Sequence, residues 1–392
     1  MHLNKLGKLF RLTTGIIFFL IASPLSMYAQ NILLLDKIID EFPLEGNYLS
    51  VFADSSNVLT VTDFFDGDSL FHVNESSYAY MANSSHTYWL KFHLKGSVPE
   101  KKYVLESYSL HAEEMVLYYV DASGFVHEQK AGHGRDFNLR KYKISNLAFD
   151  LQPSDGRVQK YMLKVRSAYP MGFELKIRSQ AYFTSYLARE YYFLGLFYGI
   201  LLIMAVYNFL IFVRSRELVN LFYVFYVLCC GLISFVEDGF GFQFLWPSYP
   251  QINYITNIFV APVLFITTFS FYARFFLDYS LEENARFKWV WTGILFYIIV
   301  KFVELNQDFV LYSQYIYLIP FMLIYLHAFR LLRQGYKAAR YFILGFSFVL
   351  AGILLYQLRV FDLIPHNLFT VYSLNYGIVA EVVILSFAIG DR

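Results

Sequence analysis

The stretch Tyr191–Val213, YYFLGLFYGILLIMAVYNFLIFV, decides how the rest of the chain is read. It runs 23 residues without a charge. A helix needs about 20 apolar residues to cross the hydrocarbon core of a bilayer, so this segment predicts a membrane span. The pattern recurs on its C-terminal side. Leu218–Val236 is uncharged over 19 positions and Tyr341–Leu358 over 18. Asn253–Ala273 is uncharged after the loop marked by Pro247 and Pro250, and Phe309–Phe329 is apolar apart from His327. Two weaker segments complete the set: Phe287–Leu305, interrupted by Lys301 and Glu304, and Leu368–Gly390, which contains Glu381. The expectation is seven spans; a six-span reading would move the C-terminus to the other side.

Composition agrees. Of 392 residues, 57% are hydrophobic and only 16% charged, against about 25% charged in soluble domains. The 32 Lys/Arg nearly balance the 31 Asp/Glu, which gives a nucleic-acid partner no electrostatic support. The charges are unevenly spread: 24 of the 63 lie from Glu190 onward. Cys229 and Cys230 are adjacent in an apolar run and can build neither a disulfide framework nor a thiolate metal cage.

Upstream, Met1–Gln30 reads as a secretory signal. Lys5, Lys8 and Arg11 precede a short apolar core, Gly15–Ala22, which Ser23 and Pro24 break before Ala29. Everything from about Asn31 should then be exported. Lys/Arg placement gives the same orientation independently. The loops expected inside carry Arg214 and Arg216, then Arg274, Arg286 and Lys288, then Arg330, Arg333, Lys337 and Arg340, with Arg392 at the end; the outside loops carry only Lys301 and Arg359.

Residues 31–185 show the period-2 alternation of half-buried strands. In Thr87–Leu94, Tyr88, Leu90, Phe92 and Leu94 share one face while Trp89, Lys91 and His93 share the other. Lys160–Arg166 and Gly172–Arg178 alternate likewise, and Val58–Thr62, Tyr103–Glu106, Met115–Val120 and Asn146–Leu151 are further strand candidates. Turn chemistry at Asp66-Gly67, Ser123-Gly124, Gly132–Gly134, Asp155-Gly156 and Pro170 separates them. The fold class expected is a membrane protein: an exported all-β, jelly-roll-like sandwich over 31–185, then an all-α seven-helix transmembrane bundle over 186–392.

Several runs resemble the bacterial seven-transmembrane receptors with diverse intracellular signalling modules. In the exported part these are LSVFADSSNVLTVTDF (49–64), HTYWLKFHL (86–94), AGHGRDFNLR (131–140) and YMLKVRSAYPMGFELKI (161–177), similar to that family's second type of extracellular domain. In the membrane part they are GLFYGILLIMAVYNFLIFVRSRELVNLFYVFYVL (195–228), DGFGFQFLWP (238–247) and GIVAEVVILSFAIGDR (377–392). The resemblance implies a jelly-roll sensor, shaped like a carbohydrate-binding module, on a seven-helix transducer. It also implies a cytoplasmic output after the last span: a histidine kinase, a nucleotide cyclase or a DNA-binding regulator. The sequence given stops at Arg392, so that output is expected either in cis in a longer chain or in trans.

Candidate residues follow from this organisation. Glu381 sits near mid-span, where a carboxyl group costs about 2.5–3.5 kcal/mol on insertion scales. It should face the bundle, and Asn208 in span one is its expected partner in a polar switch, set against a static interhelical hydrogen bond. Trp89, flanked by Lys91 and His93, is a candidate sugar platform, because an aromatic face stacks on a pyranose ring; the competing reading is a core Trp. Arg135 and Arg140 follow a Gly-rich turn and suit a carboxylate or phosphate, or else fix their loop. Glu237 and Asp238 mark the outer end of span two, and Lys301 and Glu304 are spaced to pair with each other. No metal site is expected: Asp66-Gly67-Asp68 lacks the EF-hand ligand pattern. No cofactor constellation stands out, and G-x-S-x-G, H-E-x-x-H and Walker A motifs are absent.

The reading is a non-enzymatic receptor of the bacterial plasma membrane. Its sandwich senses a small extracytoplasmic ligand, saccharides included, and its helices, which admit a homodimer, pass the change to a cytoplasmic kinase, cyclase or regulator. The alternative class is a membrane transporter or accessory ligand-binding protein, against which stands the lack of obvious inverted repeats or paired broken helices.

Overall fold

The computed structural model describes residues 31–37, 40–64, 70–74, 79–81, 83, 85–96, 101–107, 112–121, 123–152, 156–167, 171–277, 284–306, 318–360, 363–365 and 367–390. The predicted signal Met1–Gln30, the turns at Asp66–Asp68 and Pro170, and the terminal Arg392 lie outside them, as does the side chain of Glu304.

The first part is all β. In chain order its strands are β1 (Ile32–Leu34), β2 (Glu41–Pro43), β3 (Ser50–Asp54), β4 (His72–Val73), β5 (Ala79–Met81), β6 (Thr87–Lys95), β7 (Tyr103–Ser107), β8 (Ala112–Val120), β9 (Val126–Ala131), β10 (Leu147–Leu151), β11 (Val158–Ser167), β12 (Met171–Phe173) and β13 (Leu175–Ser179). One sheet runs β4-β3-β6-β11-β8-β9, with β1 added to β6; the other runs β10-β7-β13-β2, and β12 pairs with β5. Among the described strands only β1 pairs in parallel. The alternation read in the sequence becomes the core: Tyr88, Leu90, Phe92 and Leu94 of β6 pack with Tyr161, Leu163 and Val165 of β11 and with Leu105, Phe149 and Ile177 of the facing sheet.

Two strand expectations are corrected. Val58–Thr62 is not a strand but a loop leading into a short 3-10 turn, Val61–Phe64. The cause is Asp54, whose carboxylate accepts from the backbone N–H groups of Ser56, Asn57 and Leu59 and bends the chain away from pairing. Asn57 completes the bend at φ 56°. Gly172–Arg178 is not one strand either; it divides between β12 and β13 around Glu174.

The second part is a succession of helices: α1 (Gln180–Ser215), α2 (Leu218–Glu237), α3 (Pro250–Phe276), α4 (Asn284–Asn306), α5 (Leu318–Arg333), α6 (Lys337–Val360) and α7 (Ser373–Gly390). Among the described residues, α1, α2, α3 and α6 are long and apolar enough to cross a bilayer on those grounds alone. The helix α3 is irregular: residues 256–260 adopt π geometry just before Pro262, which removes a backbone donor. Aromatic residues fill the bundle interior, with Phe269 tilted against Phe321 and stacked on Phe346, and Tyr226 stacked on Tyr272. Leu202, Ile203, Val206 and Leu210 of α1 face outward, as a lipid-facing surface requires. Glycine allows the closest approach, between α6 and α7: a Cβ at Gly377 would lie 2.6 Å from the Phe348 carbonyl oxygen.

Candidate functional site

The site with most structural content is the junction between sandwich and helices. It starts from α1, which is shared by both. Ser179 caps the helix by accepting from the Tyr182 N–H at 3.3 Å. The first turns then pack on the outer face of the four-stranded sheet, where buried Phe183 meets Val104 and Ala148, with Leu187, Tyr142 and Ile144 around them. The helix continues unbroken as span one and ends at Arg216 in the left-handed region. Its 36 residues extend about 54 Å.

A buried cation fixes the angle at which α1 leaves the sheet. Arg178 on β13 is fully buried and binds Glu106 of β7 through Nη1 and Glu41 of β2 through Nε at 2.8 Å. Glu106 also accepts from Asn146 Nδ2 at 2.8 Å. The Arg178 guanidinium lies 3.8 Å from the centroid of the Tyr186 ring on α1. One turn further along, buried Glu190 accepts from the Tyr372 hydroxyl at 2.7 Å, just before α7. Sheet, first span and last span are thus joined through four side chains.

A second contact brings the loop after β9 onto the segment after α2. The Phe137 N–H donates to the Pro247 carbonyl at 2.8 Å, and Gln243 Nε2 donates to the Lys143 carbonyl at 3.1 Å. Tyr191 on α1 donates to Gln243 Oε1 at 3.1 Å. Phe137 packs edge-on against Phe242. Arg140 holds this loop from inside, donating to the carbonyls of Gly132 (3.0 Å), Ser145 (3.3 Å) and Ile144 (3.4 Å). Its guanidinium also covers the rings of Phe137 and Phe242. Gly132 is required at φ 145°, because a Cβ there would lie 2.1 Å from the Glu113 carbonyl oxygen.

Within the bundle, polar contacts tie α7 to α1 and α2. Fully buried Glu381 accepts from the Tyr226 hydroxyl at 2.6 Å, and Tyr223 donates to the Val382 carbonyl. Asn208 Nδ2 donates to Ser386 Oγ at 2.8 Å and to the Met204 carbonyl at 2.9 Å. The predicted Asn208–Glu381 contact is therefore corrected. The two residues each bind across to a different neighbour, because α1 meets α7 at Ser386, about 7.5 Å further along the helix axis than Glu381.

Two family models match the chain. The one described as 7TM diverse intracellular signalling covers residues 190–392, more than half of the chain, and the one described as 7TMR-DISM extracellular 2 covers 46–179. The chain belongs to the 7TMR-DISM family. It is a membrane protein with an extracellular domain N-terminal to a seven-helix transmembrane region and a signalling role. No curated protein matches the chain. Two of the runs that carry the family resemblance, 131–140 and 238–247, are the two that dock on each other at the junction.

The remaining candidate residues of this family member are placed as follows. Trp89 is 1% exposed, its ring set among Phe64, Tyr118 and the Lys164 ammonium. Lys91 is buried beside it with its ammonium over the Phe71 ring, and His93 is partly exposed. The three share a face, as read, but Phe52, Phe64 and Phe71 pack over it. Arg135 pairs with Glu114 of β8 at 2.6 Å, away from Arg140. Asp238 accepts from the Tyr198 hydroxyl. The Lys301 ammonium lies over the Tyr297 ring. The Arg178–Glu106 pair and Tyr186 were missed in the sequence. Their signal was a charged residue, Glu106, ending an otherwise apolar strand candidate.

Proposed function

We propose that this chain is the sensing and transducing part of a receptor in the bacterial plasma membrane, reading a small extracytoplasmic ligand and signalling to a cytoplasmic kinase, cyclase or DNA-binding regulator in cis or in trans. The supporting observation is α1, one helix whose first turns belong to the packing of the sandwich and whose remainder is a span. A displacement of the four-stranded sheet on ligand binding moves a rod that reaches the inner face. The docked loop at Phe137–Phe242 and the Glu190–Tyr372 bond give the same movement two further routes into the bundle. The ligand acts by population shift: it favours one bundle packing only through higher affinity for the sandwich in that packing. The class of ligand expected includes saccharides, as the resemblance in shape to carbohydrate-binding modules implies.

Orientation tests this reading. Tyr249→Cys, in the segment that docks on the sandwich, should react with an impermeant maleimide on intact cells, and a fluorescent protein fused after Arg392 should be bright. Labelling of Tyr249→Cys only after lysis, or a dark fusion whose alkaline phosphatase counterpart is active, overturns it.

A further inference from the structure

Gln129 bridges the open seam of the sandwich. It lies on β9, the edge of the larger sheet, and exchanges two hydrogen bonds of 2.9 Å with the backbone of Asp150 on β10, the edge of the smaller one. Beside that bridge a cavity of about 170 Å³ opens between the two edges, space on the order of a few water molecules. Its walls combine two chemistries. Ala131, Ala148 and Phe149 are apolar and buried, and the two alanines leave the room. Arg140 and Lys141 add two cationic residues to the lining, and Lys130 lines it from β9 with its side chain on the opposite face from Gln129.

The cations are not equally compensated. Lys130 pairs with Glu128 at 2.5 Å and Lys141 with Asp150, and both lysines are well exposed. Such pairs hold weakly and exchange partners easily. Arg140 is 5% exposed, and among the described residues its acceptors are three carbonyl oxygens and no carboxylate, with none for its Nε. A buried guanidinium without a counter-charge is costly. Burial accordingly pulls Arg140 down to about 9 from its ordinary value. At the mouth of the same cavity Leu139 is 76% exposed, an apolar side chain left with nothing to cover.

We infer that this seam cavity binds a small organic anion, its carboxylate set beside Arg140 and Lys141 and its short apolar part between Phe149 and Leu139. The volume excludes an oligosaccharide. The position gives binding a consequence: the same Arg140 holds Phe137 against Phe242, so an anion beside it acts on the contact between sandwich and helices. That consequence rests on the receptor reading; the binding itself does not.

The test uses the full chain in nanodiscs of neutral lipid, titrated calorimetrically with propionate, inorganic phosphate and glucose. Propionate should bind saturably, with glucose silent. Lys141→Gln should weaken propionate at least about tenfold. Leu139→Asp, on an exposed position the fold tolerates, should do the same, whereas Leu139→Asn should lose far less. No saturable propionate binding overturns the proposal, and so does affinity unchanged in Lys141→Gln or equal in Leu139→Asp and Leu139→Asn. Binding of phosphate without propionate overturns the organic class of ligand. Hydrogen exchange in α7 separates the two readings. Propionate bound with α7 unchanged leaves this site standing and sinks its coupling to the bundle. A junction variant that alters α7 in a chain that binds no anion does the reverse.

Discussion

Removing the Arg178 side chain should cost as much as the largest single deletions in the hydrophobic core beside it. In Arg178→Met the apolar volume is largely kept, so the loss is electrostatic. Glu106 is left fully buried with Asn146 as its remaining donor, and Glu41 loses its partner at 2.8 Å. Breaking one side of a buried pair costs about 3–5 kcal/mol. The contact with the Tyr186 ring, at 3.8 Å, adds about 1 kcal/mol. Replacing both partners, Arg178→Met with Glu106→Gln, removes the stranded charge and should return about half of that loss. The assay is urea unfolding of the full chain in nanodiscs, followed by tryptophan fluorescence, with Trp89 reporting from inside the sandwich. A single variant within about 1 kcal/mol of the parent, or a double variant no better than the single, would refute the claim that this pair anchors α1 to the sheet.

Other consequences concern separate parts of the molecule. Asp54 is buried, which raises its carboxyl. Bonds from the Ser56 hydroxyl and the N–H groups of Leu59, Ser56 and Asn57 outweigh burial and hold it below its ordinary value. A lowered folded-state value means stability that is full above about pH 4 and is lost as pH falls further; an acid titration should show this loss in the parent and not in Asp54→Asn. In the bundle, Glu381→Gln keeps an acceptor for the Tyr226 hydroxyl and should melt close to the parent, while Glu381→Leu strands that hydroxyl and should cost about 1–2 kcal/mol in thermal unfolding. Equal melting of the two variants would remove the Tyr226 bond from the account.

The sequence shows some of this plainly and hides the rest for physical reasons. Strand β6 is legible because a buried face must be apolar at every second residue, and Tyr88, Leu90, Phe92 and Leu94 are. Its other face admits two readings, a sugar platform and a core Trp, because alternation says nothing of what covers it. The covering aromatics, Phe52, Phe64 and Phe71, lie far upstream, and their clustering was the available signal. Val58–Thr62 has the β-branched composition of a strand, yet one carboxylate at Asp54 gathers the backbone donors and wins locally. Glu381 is legible as an inward-facing group because the bilayer penalises a charge anywhere else. Its partner is not, because helix rotation and axial offset decide between Asn208 and Tyr226. Arg140 is the hardest case: its acceptors are backbone carbonyls, which leave no trace in the residue types around it.

The claim on which the mechanism depends is that one rigid helix belongs to both halves of the molecule. Spin labels at Ser185 and Ser215, both exposed on α1, with Cys229 and Cys230 replaced by alanine, measure it directly by pulsed dipolar spectroscopy in nanodiscs. Thirty residues of unbroken helix predict a single narrow distance distribution near about 45 Å. A broad distribution, or one centred well below that length, would mean that the sandwich and the first span do not move together.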